Sequence, residues 1–329
     1  MKMKKIRWGI LGCAKIARQL IKGIGEGETG EVAAIASRDY AKARAWAEQN
    51  GIPHAYGSYD ELLRAGVVDA IYNPLPNSLH AEWTIRALRA GLPVLCEKPF
   101  AADAAEARQV AKMARETGLA VAEAFMYRFH PLYDLALDYL RSGRLGRLAS
   151  ISSTFTYLLR DPTIVQADPA LAGGVLMDLG CYGVNLSRLI AGGEPRRVSG
   201  FARRAAVDET FVGMMEFADG VFAEFVASFA AQKRQRAEIV GAAGVLVTER
   251  PWHPYAEGVD VTLITDAGTE TIRTAGGNIY GLEADDFARA LREDRAPRWG
   301  VDDAVANMDV IDALYASARE GRAVEVGRR

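Results

Sequence analysis

The sequence predicts an α/β protein in which a doubly wound parallel sheet is followed by a second domain built on an antiparallel sheet. Short β-rich runs alternate with helical patterns over residues 1–125, the signature of a parallel sheet covered on both faces. A glycine turn follows the first of these runs, as in dinucleotide-binding βαβ units. Beyond Phe125 strand-like runs follow one another, several across turn pairs such as Asp219-Gly220 and Ala267-Gly268, which predicts antiparallel pairing.

The elements fall in order. Ile6–Leu11 reads as a strand and leads into a helical stretch through Ile24. Residues 32–36 form the next strand, followed by a helix over Tyr40–Asn50 that Gly51 stops. Ser58 and Glu61 make a capping-box pattern ahead of Leu62-Leu63. A strand over residues 68–72 precedes a helix through Ala90, and residues 94–96 form a strand before a helix opened by Asp103. Residues 119–122 complete the first domain, assigned to 1–125, with a hinge at residues 124–126. The second domain, 126–329, begins with a helix near residues 132–140 and a strand near 148–155. A helix over residues 178–190 follows, then strands over 198–203, 210–217, 221–228, 238–240, 245–248, 259–264 and 270–273. Helices near 282–292 and 302–318 close the chain.

Composition excludes several function classes. A length of 329 residues, half of them hydrophobic and a quarter charged, suits a soluble globular protein of two domains. A formal net charge of -2 offers no electrostatic reason for a nucleic-acid partner or an anionic membrane. Cys13, Cys96 and Cys181 are scattered and suit a reducing compartment. The basic stretch Met1-Lys2-Met3-Lys4-Lys5 lacks the hydrophobic region of a signal peptide, and no segment is long enough to span a membrane, so a cytoplasmic location is expected. Four histidines without clustered partners predict no metal site.

The turn Gly12-Cys13-Ala14-Lys15-Ile16-Ala17 supplies the first glycine of the dinucleotide fingerprint and an acceptable alanine at its third position. Ala14 replaces the second glycine, so one methyl group must be accommodated beside the pyrophosphate. The second strand ends in Ser37-Arg38-Asp39. Arg38 can grip a 2′-phosphate through charge-assisted hydrogen bonds, or stand solvated while Asp39 caps the next helix; Asp39 can also reach a ribose hydroxyl. This chemistry favours NADP over NAD. Asn73, Pro74, Pro76, Asn77 and His80 belong to a loop after a strand and suit cofactor contact, although His80 can equally be satisfied by backbone at a helix start.

Two clusters carry the chemistry. Glu97-Lys98-Pro99 stands at the end of a buried strand, where an open α/β sheet binds its ligands. Proline pushes the residue before it away from helical angles, and Lys98 there can face a nicotinamide and a substrate hydroxyl. Asp178, Tyr182 and Asn185 stand at i, i+4 and i+7, which on a helix share one polar face. Asp178 as a helix cap and Tyr182 as a packed ring is the competing structural role. Moving a hydride to or from a carbinol carbon requires moving the proton on its oxygen. An unperturbed tyrosine, with a pKa of about 10, is a poor base at neutral pH. A neighbouring ammonium favours its phenolate. Tyr182 is therefore the expected proton donor and acceptor, with Lys98 its electrostatic partner. Arg160, in the loop ahead, and Asp178 and Asn185 are candidate substrate contacts, and Glu97 is expected to orient Lys98 or its loop.

The chain resembles the glucose–fructose oxidoreductase, inositol dehydrogenase and rhizopine-catabolism (Gfo/Idh/MocA) family along essentially its whole length. The resemblance is carried by Trp8-Gly9-Ile10-Leu11-Gly12, Asn73-Pro74-Leu75-Pro76-Asn77 with His80, Cys96-Glu97-Lys98-Pro99, and the run from Glu123 to Pro131. The helix at residues 178–185 and the Glu283…Asp286-Phe287 segment extend it. It implies an N-terminal Rossmann domain and a C-terminal domain on a large, mostly antiparallel open sheet that serves many relatives as a homodimer surface. At Tyr182 and Asn185 the chain departs from the inositol-dehydrogenase-like branch. It is similar instead to the branch of glucose–fructose oxidoreductase, dihydrodiol dehydrogenases, xylose dehydrogenases and nucleotide-sugar ketoreductases, in which a lysine and a tyrosine at the positions of Lys98 and Tyr182 serve the reaction. The resemblance implies an NADP-dependent oxidoreductase of a sugar or polyol, first an aldose 1-dehydrogenase, with a trans-dihydrodiol dehydrogenase or ketosugar reductase as the alternative. A non-catalytic NADP-binding regulator is the alternative of another class.

Overall fold

A computed structural model describes residues 5–327; Met1 to Lys4, most of the basic N-terminal stretch, lie outside the described residues. The chain divides into two compact units. The first runs through Met126 and resumes over Asn278–Val305; the second comprises Tyr127–Gly277 and the segment from Ala306 onward.

The first unit is built from β1 (Ile6–Leu11), α1 (Ala17–Glu26), β2 (Gly30–Ala36), α2 (Tyr40–Asn50), β3 (His54–Tyr56), α3 (Tyr59–Arg64), β4 (Ala70–Asn73), α4 (Asn77–Arg89), β5 (Val94–Glu97), α5 (Ala104–Thr117) and β6 (Val121–Ala124). Its six strands lie in the order β3-β2-β1-β4-β5-β6, every pair parallel. The order reverses between β1 and β4, and all six carboxyl ends meet one edge of the sheet. The local signals act as expected. The side chains of Asp39, Ser58 and Asp103 accept the N–H groups of Lys42, Glu61 and Glu106 at the starts of their helices. Glu61 returns an acceptor, taking the N–H of Gly57 rather than that of the capping serine. Strand β3 is absent from the sequence reading because three residues are too few to show alternation; pairing with β2 makes it.

The second unit contains α6 (Pro131–Arg141), β7 (Leu148–Leu158), α7 (Cys181–Ala191), β8 (Arg197–Arg204), β9 (Asp208–Glu216), β10 (Phe222–Ser228), β11 (Ala230–Gly241), β12 (Val245–Thr248), β13 (Asp260–Thr265) and β14 (Gly268–Arg273). Helices α8 (Ile279–Arg292) and α9 (Val301–Glu320) and strand β15 (Val324–Glu325) complete the chain. Nine strands form one sheet in the order β14-β13-β12-β11-β7-β10-β9-β8-β15. Only the β7–β10 pair is parallel. Strand β11 spans twelve residues, far beyond the 238–240 expected, because its polar first half hides the alternation that pairing with β7 enforces. One face of the sheet is buried through Phe211, Met215, Ala223 and Phe225. The other leaves Phe201, Met214, Phe222 and Val226 exposed, Phe201 by 68%.

Helix α8 does not belong to the second domain, in which the 126–329 assignment placed it. It packs in the first unit, where the rings of Trp8 and Phe287 lie 5.7 Å apart and the Thr29 hydroxyl donates to Asp285. Backbones meet where it crosses α1: a Cβ added to Gly23 would fall 2.4 Å from the Gly281 nitrogen. Contacts between residues so far apart in sequence leave no local trace.

No helix among the described residues is long and apolar enough to cross a membrane. The α1–α8 contact yields a direct test. Gly23→Ala should destabilise the first unit by about 1–3 kcal/mol through overpacking, measured by urea unfolding; an unchanged midpoint would show that the helices can separate without cost.

Candidate active site

Four turns of the first unit emerge at the carboxyl edge of its sheet: Gly12 after β1, Ser37-Arg38 after β2, the Asn73–Asn77 loop after β4, and Lys98 after β5. Gly12 adopts φ +86°, a conformation that a side chain rarely takes, and its N–H donates to Ala36. Cys13, Ala14 and Ile16 are half-buried and Lys15 is exposed. Helix α1, ten residues long, has no acidic residue in its first turn, so no carboxylate opposes an anion there. Ser37 is buried and its hydroxyl oxygen accepts the Asp39 N–H. Arg38 is exposed, and its charge opposes the rise that burial imposes on the Tyr59 pKa. Burial likewise raises the Cys13 thiol, against the nearby charge of Lys42. A positive-φ glycine turn, an unopposed helix start and exposed cations fit a phosphate-bearing dinucleotide.

The β4 loop is occupied by its own fastening. The Asn73 amide donates to the His80 carbonyl and the Thr84 hydroxyl, both at 3.1 Å. Pro74 is buried, whereas Pro76 and Asn77 are partly accessible. His80 is buried with Nδ1 2.8 Å from the Pro99 carbonyl and Nε2 2.6 Å from the Leu75 carbonyl. Its ring therefore ties the β4 loop to the Lys98 turn, the backbone-satisfied role, instead of offering a nitrogen to a cofactor. Asn73 supports the loop in the same way.

The turn carrying Lys98 is held on every side. The Lys98 N–H donates to its neighbour's Glu97 carboxylate at 3.2 Å, and the Tyr72 hydroxyl donates to the same carboxylate. The Phe100 N–H donates to Glu123 at 2.9 Å. The Lys98–Pro99 peptide is cis, a feature the sequence does not announce. Lys98 alone among residues 93–100 is not fully buried.

In the second unit Tyr182 lies in the first turn of α7 and is 4% exposed. Its ring is enclosed by Phe155, Trp252 and Tyr127 at centroid separations of 5.5, 5.5 and 5.8 Å. Trp252 and Phe155 escape sequence reasoning because the rings come from distant strands and loops. A π-helical turn, Leu176–Gly180, holds Asp178 and precedes α7, which carries Tyr182 and Asn185, and Tyr127 meets both of the latter. Asp178 is not the cap. Asp208 from β9 accepts the Leu176 N–H at 2.7 Å and the Tyr315 hydroxyl at 2.9 Å. Asp178 accepts from the Tyr157 hydroxyl at 3.1 Å and is the one residue of 174–188 that is not fully buried. Asn185 is wholly buried: it accepts from the Tyr127 hydroxyl at 2.7 Å and donates to Asn307, which also takes a hydrogen bond from Arg188. Its amide is spent inside the fold, which removes it from the substrate contacts. Arg160 is exposed beyond the end of β7. Among the described residues no group of three or more His, Cys, Asp or Glu is arranged to hold a metal ion.

A parallel sheet with a dinucleotide-type turn beside its switch point defines a Rossmann-type nucleotide-binding protein. The chain belongs to the GFO/IDH/MocA oxidoreductase family: residues 6–125 match its NAD-binding Rossmann fold and residues 133–247 its C-terminal domain. It is 39% identical to D-xylose 1-dehydrogenase (NADP(+)) 2 of Haloferax volcanii, over 97% of this chain and 99% of that one. Its fold is similar to that of the aldose-aldose oxidoreductase of Caulobacter crescentus crystallised with glycerol, at a TM-score of 0.91 and 27% identity, covering 98% of this chain and 100% of the other. It is also similar to a 3-ketoreductase from Actinomadura kijaniata in complex with NADP and TDP-benzene, at a TM-score of 0.90 and 30% identity, covering 95% and 98%.

The buried imidazole has a measurable consequence. Burial lowers the His80 pKa from 6.5 to about 4, against the Pro99 and Leu75 carbonyls, which favour a protonated ring. The unfolded chain then binds a proton that the fold refuses, so the stability owed to the neutral ring is complete above pH 6.5 and is lost as pH falls towards 4, by up to about 3 kcal/mol. Urea unfolding of wild type and His80→Asn across that window should show this step in the wild type alone; parallel pH profiles would reject it.

Proposed function

We propose that this protein is an NADP-dependent oxidoreductase that moves a hydride between the nicotinamide and a carbinol or carbonyl carbon of a sugar or polyol, as an aldose 1-dehydrogenase. The observation that carries the reading is Lys98, a partly buried lysine on a hydrogen-bonded turn at the carboxyl edge of a dinucleotide-type sheet. A nicotinamide dinucleotide bound there supplies the hydride donor or acceptor. Gly12 and the start of α1 receive its pyrophosphate, with Cys13, Ala14, Lys15 and Ile16 along the turn, and Ser37 and Arg38 receive the 2′-phosphate. Tyr182 gives or takes the proton on the reacting oxygen, and the Lys98 ammonium stabilises its phenolate and the charge developing on that oxygen. Asp178 and Arg160 contact the substrate hydroxyls. Similarity to a 3-ketoreductase and to trans-1,2-dihydrobenzene-1,2-diol dehydrogenases supports a second reading, a trans-dihydrodiol or ketosugar substrate.

The protein acts in the cytoplasm and assembles as a homodimer through the exposed face of the nine-stranded sheet. Phe201, Met214, Phe222 and Val226, four exposed large apolar side chains on that face, support this assignment.

Lys98→Met and Tyr182→Phe should each lower kcat by about a hundredfold or more while NADPH affinity stays near wild type; near-normal turnover in both would end the mechanism. Arg38→Ala should weaken NADPH binding and leave NADH binding nearly unchanged, an outcome read by fluorescence titration; an intact preference for NADPH would remove Arg38 from the site. A panel of pentoses, hexoses and diols followed at the NADPH absorbance sorts the substrates. Tight cofactor binding without turnover across that panel would instead indicate a regulator.

A further inference from the structure

Three carboxylates of the first unit, Glu97 on β5, Glu123 on β6 and Glu283 on α8, are buried, and the charges of Glu97 and Glu123 both raise the Glu283 pKa. Tyr72 on β4 and Tyr280 on α8 join them, and the charge of Lys98 reaches Tyr280. Three buried anions so close are not sustainable, and the proton goes to the group whose charge is least solvated by donors. The donors are unevenly shared. Glu97 takes the Tyr72 hydroxyl and the Lys98 N–H, and Glu123 takes the Phe100 N–H on one oxygen while its Oε2 is buried without a hydrogen-bond partner. Glu283, 1% exposed, has Oε1 buried with no hydrogen-bond partner. Its neighbours push the same way: burial first, then Glu97, Asp286 and Glu123, hold its pKa well above the usual carboxylate range.

We propose that Glu283 is a positioning residue for Lys98: as the neutral acid of the buried cluster it lets Glu97 and Glu123 stay ionised and hold the two backbone amides that flank the Lys98–Pro99 bond. The inference rests on the reading of Lys98 as the catalytic lysine. Glu283 does not touch the reacting atoms; it acts through the charge state of its neighbours. Ionising it would force the three carboxylates to compete for protons, and a protonated Glu97 or Glu123 is a weaker acceptor for the amides it holds. Helix α8 enters this cluster from residues 278–305, so the chain's late return to the first unit completes the support of the turn.

The test uses the full chain and two readouts. Infrared spectroscopy should find the carbonyl stretch of a protonated carboxyl group at neutral pH, absent in Glu283→Gln. On raising the pH, loss of that band and a fall in kcat should share one midpoint in the wild type. Glu283→Gln should keep kcat within about threefold of wild type at neutral pH and hold it through that midpoint. Absence of the band at neutral pH overturns the proposal, as does a wild-type kcat that survives the loss of the band. A band that persists to the pH of unfolding leaves the decision to Glu283→Gln, where a loss of kcat beyond about tenfold overturns it. The band is read without turnover, so an active Lys98→Met variant would defeat the catalytic reading while leaving the protonation of Glu283 standing.

Discussion

The first unit depends on how the three residues after β5 are held. The Lys98 and Phe100 N–H groups end on carboxylates, the Pro99 carbonyl faces the His80 ring, and the Cys96 thiol reaches the Phe100 carbonyl at 3.8 Å. A turn at the end of a parallel strand has lost its ladder partners and must find others when buried. Here the partners come from β5 itself, β6 and the start of α4, so the turn cannot move without disturbing all three. A lysine has four rotatable side-chain bonds, and fixing its backbone removes much of the uncertainty in where its ammonium goes.

The second unit solves a comparable problem with packing. Tyr182 needs a defined ring position, and Phe155, Trp252 and Tyr127 enclose it at tilted and edge-on angles, arrangements that aromatic quadrupoles favour. Tyr127 serves twice, since its hydroxyl also donates to Asn185. That bond links the enclosure to a polar string through Asn307 and Arg188 to Glu194, where the guanidinium makes two bonds of 2.6 and 2.7 Å. Buried polar groups of this kind are costly without partners, and the string pairs all of these groups except the Asn307 Nδ2, which is buried without one. Asp178, within the π-helical turn ahead of α7, accepts the Tyr157 hydroxyl, while Asn185 within α7 accepts that of Tyr127.

Both units bury charge to hold the residues of the proposed chemistry. Asp208 pins the start of the π-helical turn and the Tyr315 hydroxyl together, much as Glu97 pins Tyr72 and the Lys98 backbone. A carboxylate can accept several donors at once, which makes it an efficient junction between segments that are remote in sequence. The cost of burying it is offset only while those donors stay in place, so such junctions tie local geometry to the integrity of the whole unit.

The amino-acid sequence by itself determined the order of elements, the parallel sheet with its glycine turn, and the placing of Lys98 at a strand end, because hydrophobic period, caps and turn residues act over a few positions. Asp39, Ser58 and Asp103 cap their helices as their spacing demands. Tertiary structure alone decided what depends on distant partners. It made β3 and the first half of β11 into strands, returned α8 to the first unit, and gave the cap expected of Asp178 to Asp208. It also took Asn185 and His80 into the scaffold and buried Glu283 in the first unit. A side chain's polarity is written in the sequence, but whether its hydrogen bonds are spent inside the fold or left for a ligand depends on residues that only the fold brings to it.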